Sequence, residues 1–274
     1  MAIITISRGS YSKGKDVAKL VADKLGYRCI AREVLLDASR DFNIPEIRLV
    51  RAIHDAPSIL DRFTHGKEKY IASFRAAMLK QFAQDNVVYH GLAGHFFVQD
   101  IPHALKVRII ADMEDRVRTE MERMKLPREE ALRILKSDDE ERRQWSQNLY
   151  GIDTTDPSLY DMVIHVRKIT VEDAADMICR VVEQERFRTS KEAQKAVEDM
   201  ALAAEVKAAL IDIKSDVEVK ASDGFVRVET RAPVEEQKEL VGEMEKIVKS
   251  IPGVKNFDIK VLQRVKRSSG RLFP

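Results

Sequence analysis

The sequence predicts an α/β protein: a doubly wound parallel sheet over residues 1–187, followed by a small α+β module. Three observations predict it. Short runs rich in β-branched residues alternate with amphipathic segments of helical period through the first 187 residues, the pattern of strands laid parallel by helical crossovers. The chain opens on a strand, a glycine-bearing turn and a helix, the start of such a unit. Beyond residue 198 the order changes to helix, two alternating strands, helix, strand.

The totals set bounds. The 274 residues are 44 % hydrophobic, enough to bury a core, and 34 % charged. Lys and Arg (47) nearly balance Asp and Glu (45), so the charge singles out no nucleic-acid partner and none is expected. Cys29 and Cys179 fit no Cys-x-x-Cys motif and read as two buried thiols in a reducing compartment. The N-terminus lacks the basic start of a signal peptide, and no run approaches the roughly 18 apolar residues of a membrane span, so a soluble cytoplasmic protein is expected.

Ile3 to Ile6 reads as the first buried strand, and Val17, Leu20, Val21 and Leu25 as the inner face of the first helix. Between them lie Gly9, Ser10, Tyr11, Ser12, Lys13, Gly14, Lys15 and Asp16, which match a phosphate-binding loop in all but the last position. Glycines let backbone curl round a phosphate, the helix N-terminus favours its charge, and Lys15 adds a mobile cation. Residues Gly9 to Val17 are therefore a candidate phosphate site. Asp16 stands where a Ser or Thr hydroxyl would contact Mg²⁺. It is a candidate Mg²⁺ ligand, directly or through water, or the mark of a different arrangement.

Gly26 is placed to cap the first helix, and Tyr27 to Ile30 is a second strand. Arg32, just past its end, is either an anion contact or a surface residue at a helix start. Residues 33–83 read as helical, with a break at Asn43 and Pro45 and a loop from Asp55 to Gly66. Val87 to His90 is a third strand. It leads into Gly91 and Gly94, with His90, Gly91 and His95 as candidate ligand contacts. Leu105 to Ile110 is a fourth strand, and Met113 to Met124 an arginine-rich helix. Pro127 opens another helix carrying Asp139, Arg142 and Arg143. Arginines on such a hairpin suit the clamping of a transferring phosphoryl group, or else lace a solvated face with ion pairs. Met162 to Val166 is the last strand of the sheet and Val171 to Phe187 its last helix.

On these residues the first domain resembles the cytidylate kinase-like family, within the nucleoside monophosphate kinases of the P-loop fold. The likeness rests on Ser7-Arg8, on Gly14-Lys15-Asp16-Val17-Ala18, on Arg116, on Asp139 and Arg142, and on Gly151, Asp156-Pro157 and Tyr160-Asp161. An acid is usual in the family at the position of Asp16. The resemblance implies ATP and Mg²⁺ as cofactors, a nucleoside monophosphate acceptor, CMP or dCMP first, and Arg116 near the donor nucleotide. Lys15, Arg116, Arg142 and Arg143 are the candidate catalytic residues. Arg32, His90, Gly91 and Asp139 are the candidate acceptor contacts. Three positions depart from the family pattern: His90-Gly91 stands for Gly-Arg, Ala31-Arg32 for Asp before a basic residue, and His165-Val166 for Asn-Thr. They leave open a nucleotide-binding sensor with little activity, or a kinase for a non-nucleotide molecule.

Residues 188–198 read as a polar, helical linker and 199–265 as the second module, with a hairpin turn at Ser222-Asp223-Gly224 and a helix end at Pro252-Gly253. The module resembles a BON module. That resemblance implies a lipid-like ligand, a protein partner or self-association. The basic stretch 266–274 is expected to be disordered.

Overall fold

The computed structural model describes residues 2–9, 12–31, 66–91 and 93–263. Ser10, Tyr11, Arg32, the elements expected over 33–65 and the stretch 266–274 lie outside these. The first sheet is built from β1 (Ile3–Arg8), β2 (Arg28–Ile30), β3 (Val87–His90), β4 (Ala104–Ile110) and β5 (Met162–His165). All pairs are parallel and the order is β2-β3-β1-β4-β5. Purely parallel strands need cover on both faces, and the period of two in β1 supplies it. Ile3 points into one core, with Tyr70, Phe74, Phe82, Trp145 and Val197. Ile4 and Ile6 point into the other, with Val17, Val21, Val107, Ile109 and Ile178.

The helices follow. The first, α1 (Gly14–Leu25), ends where Gly26 takes a φ of 67° and its N–H and that of Tyr27 close the last turn. Tyr27 thus belongs to the cap, and β2 begins one residue later than its composition suggests. Next come α2 (Gly66–Phe82), α3 (Met113–Met124) and α4 (Arg128–Tyr150). Pro127 is the residue before α4 rather than its first. The helix runs unbroken past its charged middle to Gly151, whose φ of 68° ends it. The last helix of the sheet, α5 (Val171–Val182), starts on a reciprocal cap between Thr170 and Asp173 and stops short of Phe187. Cys179 is buried and Cys29 only half-buried, and neither forms a disulfide.

The remaining elements are α6 (Lys191–Leu210), β6 (Glu218–Ser222), β7 (Phe225–Ala232), α7 (Val234–Ser250) and β8 (Asn256–Gln263). The sheet order is β6-β7-β8, with β7 antiparallel to β6 and parallel to β8. Asp223 and Gly224 take φ of 52° and 81°, the two left-handed residues that a tight hairpin of this twist requires. The expected helical linker is continuous with the helix after it. Ser190 caps α6, which then runs straight through it, and Val197 is buried in the core of the first sheet.

Candidate active site

The C-terminal ends of β1 and β4 are adjacent at the centre of the sheet, where successive crossovers diverge to opposite sides. Open parallel sheets bind ligands at such a point. A cavity of about 340 Å³ opens there, lined by Ser7, Arg8, Gly9 and Ser12 from β1 and its loop, Arg108 and Ile110 from β4, Arg116 from α3, and Lys136, Asp139, Glu140, Arg142 and Arg143 from α4. Six basic side chains therefore meet two carboxylates around one loop. That balance favours a polyanion.

The loop is held in shape from within. Ser12 is buried, and its hydroxyl shares its proton between the carbonyl oxygens of Gly9 (3.1 Å) and Ile109 (3.2 Å). Lys13 has a φ of 61°, a conformation few side-chain-bearing residues adopt. A Cβ on Gly14 would lie 2.7 Å from Cβ of Arg8, so only glycine lets the arginine stem cross the loop. A Cβ on Gly9 would meet the Arg116 guanidinium at 3.7 Å, so that group lies against the loop backbone. The N–H groups of the first helical residues, Gly14 and Lys15, have no carbonyl one turn earlier to bond within the helix.

Arg116 is nine-tenths buried, and its Nη2 lies 2.8 and 2.7 Å from the two carboxylate oxygens of Asp139. Two positions that the sequence assigned to opposite ends of the reaction are thus partners. Arg142 is half-buried in the cavity wall, and its charge opposes the burial that raises the carboxyl of Asp138. Arg143 is exposed and paired with Glu140 at 2.7 Å.

Other predicted residues stand apart from the cavity. Lys15 and Asp16 are exposed on the first turn of α1 and do not line it. Val17 is packed in the sheet core with its N–H bonded to the Lys13 carbonyl, so neither its side chain nor its amide meets a ligand. Lys13 lines a neighbouring pocket of about 570 Å³ with Arg116, Arg118, Val166 and Arg167. His90 is buried at the end of β3, and Gly91 is fixed because a Cβ there would lie 2.5 Å from the Tyr89 hydroxyl.

The cavity also contains groups that spacing alone did not single out. Arg108 donates to the Tyr160 hydroxyl at 3.2 Å and stacks its guanidinium over that ring. The same hydroxyl donates to the Thr154 carbonyl at 2.9 Å and lies 3.2 Å from Ser7 Oγ and 3.3 Å from His95 Nε2. Burial, reinforced by the charges of Arg108 and Lys106, lowers the pKa of His95 from its ordinary 6.5 to about 3, so the ring is neutral. Arg108 had one signal in the sequence: with Lys106 it is one of two charges inside a strand otherwise apolar.

Among the described residues no group of three or more His, Cys, Asp or Glu could hold a metal ion by itself. The carboxylates that line the cavity, Asp139 and Glu140, are each paired with an arginine, and Asp16 stands outside it.

Residues 3–168 match the model of the cytidylate kinase-like family. A cytidylate kinase of Archaeoglobus fulgidus is 29 % identical over 195 residues, covering 69 % of this chain and 98 % of that protein. One of Sulfolobus acidocaldarius is 25 % identical over 189 residues, covering 68 % and 97 %. A crystal structure of an uncharacterised protein from Eubacterium ventriosum superposes with a TM-score of 0.52 at 21 % identity, over 68 % of this chain and all of that one, and shares the fold. With the family match spanning well over half of the sequence around this sheet and its loop, the chain belongs to the cytidylate kinase-like family.

Proposed function

We propose that this protein transfers the terminal phosphoryl group of ATP to a nucleoside monophosphate, with CMP or dCMP as the first acceptor to test. The observation that carries the reading is the convergence of Arg8, Arg108, Arg116, Lys136, Arg142 and Arg143 on the loop between β1 and α1. Family membership and the names of the two cytidylate kinases support it. Transfer between phosphates needs positioning and charge neutralisation far more than covalent help. In this reading the loop amides and Lys15 bind the donor phosphates, Lys15 reaching over from the first turn of α1. Arg116, held by Asp139, joins the loop to α4. Arg142 and Arg143 face the group in flight, and Arg143 is released from Glu140 when it does so. Mg²⁺ at Asp16 and the phosphates would neutralise the donor's charge.

On the acceptor side Gly91 carries no side chain, and Tyr89 leaves room for none. We assign the missing guanidinium to Arg108, which reaches the cavity from β4 with Tyr160 beneath it. The departures at Ala31, Gly91 and Val166 motivate the second reading, a nucleotide-binding sensor of low activity. A coupled assay of ADP release with ATP, Mg²⁺ and each of CMP, dCMP, UMP, AMP and GMP separates the two. Acceptor-dependent ADP with a pyrimidine monophosphate is the expected result. Release no faster than the blank with every acceptor, alongside ATP binding, would sink the kinase reading.

The α-β-β-α-β order of residues 191–263 supports the BON-like reading of the second module. We take its role to be association rather than catalysis.

A further inference from the structure

The strand β8 lies at an edge of its sheet: among the described residues it pairs with β7 alone. Its eight residues, Asn256 to Gln263, hold one unbroken register, with no proline and no bulge. Proteins ordinarily guard such an edge with prolines, bulges, charged side chains or inward-pointing charges, and β8 carries only Asp258 and Lys260, of opposite sign and both outward. Here the inward positions are Phe257, Ile259 and Val261, apolar and only half-buried. The other edge differs, since β6 is five residues long and borders a groove walled by α2 and α6.

Strands paired antiparallel across a two-fold axis place opposite residues on the same face, so the axis must pass through a residue. An axis at Asp258 would set that carboxylate against its own copy. One at Lys260 would oppose two ammonium groups. An axis at Ile259 sets Asp258 against Lys260 twice, Ile259 against itself and Phe257 against Val261. It also lets residues 256–262 all find partners. The strand behind reinforces that choice. Arg227 stands beside Asp258 and Glu229 beside Lys260. Across the joined sheets the outer face then reads Arg227, Asp258, Lys260, Glu229, with the sign alternating at every step. On the inner face Ile259 would meet its own copy, with a Val228 behind each, in one apolar row.

We propose that two copies of this chain associate through antiparallel β8–β8 pairing about Ile259, forming a continuous six-stranded sheet. The contact is small, so a dimer of micromolar strength is expected. The test uses the full chain in sedimentation equilibrium from about one to a few hundred micromolar, over which the wild type should move from the single toward twice the chain mass. Asp258→Lys places lysine against lysine in a homodimer, and Lys260→Asp places aspartate against aspartate. Each variant alone should raise the dissociation constant at least about tenfold. Mixed in equal amounts, the two variants should dimerise again, because every cross-strand pair is then of opposite charge. Circular dichroism checks that each variant is folded. A monomeric wild type overturns the proposal. So do single variants that stay dimeric, which would put the interface elsewhere, and folded variants whose mixture stays monomeric.

Discussion

Gly14 and Arg8 show how little room the loop leaves. Adding one methyl group at Gly14 drives it into the arginine stem at 2.7 Å. Gly14→Ala should therefore weaken ATP binding at least tenfold while leaving the sheet intact, measured by nucleotide titration and circular dichroism. Lys15→Ala should lower turnover about a hundredfold with the fold unchanged, the usual size of loss for a group that stabilises transition-state charge. Retained turnover would remove Lys15 from the mechanism. His95 makes a prediction of opposite kind. Its folded pKa of about 3 lies below the 6.5 of the unfolded chain, so below pH 6.5 the unfolded state binds a proton that the folded state refuses. Its contribution is complete above pH 6.5 and declines as the pH falls toward 3, by up to about 1.4 kcal/mol per pH unit. Burial lowers His103 in the same direction. Denaturant titrations between pH 7 and 5 should show this slope, and His95→Asn should flatten it. At this scale the loop glycines were legible in the sequence, because their spacing is itself the backbone requirement. The pairing of Arg116 with Asp139 was not, since the two lie on different helices and nothing local links them.

The hairpin of α3 and α4 is two structures in one. Its outer part has a small core of its own, Val117, Ala131 and Leu135, beneath the ion pairs of its surface. The inner end of α4 is sunk into the main core by Trp145 and Leu149. Arg142 and Arg143 sit just before that anchored end. The outer part is thus the piece free to rock, and the arginines lie near its pivot. Leu135→Ala should cost about 2–5 kcal/mol locally. Hydrogen exchange should quicken across 113–140 and leave 145–150 protected. The elements themselves were readable from apolar period and, at Gly26, from a cap residue. Boundaries slipped where composition misleads. Pro127 reads as the first residue of α4 yet stands just before it, and α5 reads on to Phe187 yet stops at Val182. The first turns of α6 read as linker because Val197 is their one fully buried large apolar side chain.

That helix decides how the molecule is joined. Val197, Ala204, Ala208 and Ile211 pack into the core shared with α2, while Val206 and Leu210 pack into the core of the second sheet. Both stripes run over the same turns, so α6 is apolar on two sides and lacks the single clean face by which helices are recognised. A chain ending at residue 190 should lose the cover over α2 and melt lower than the full protein. One ending at 213 should keep most of that cover. Thermal unfolding of the two truncations checks it, and equal melting temperatures would deny α6 this role.

The two stripes on α6 also fix its length. One residue inserted between Val197 and Val206 would advance everything after it by about 1.5 Å and turn it by about 100° around the helix axis. Val206 and Leu210 would stay in their own core, whose other residues follow them in the chain, but Ala208 and Ile211 would swing off α2 and carry the second sheet with them. An ordinary linker tolerates gain and loss of residues freely. This junction behaves like a keyed shaft, and only a change near seven residues, two full turns, would bring both sides back into phase.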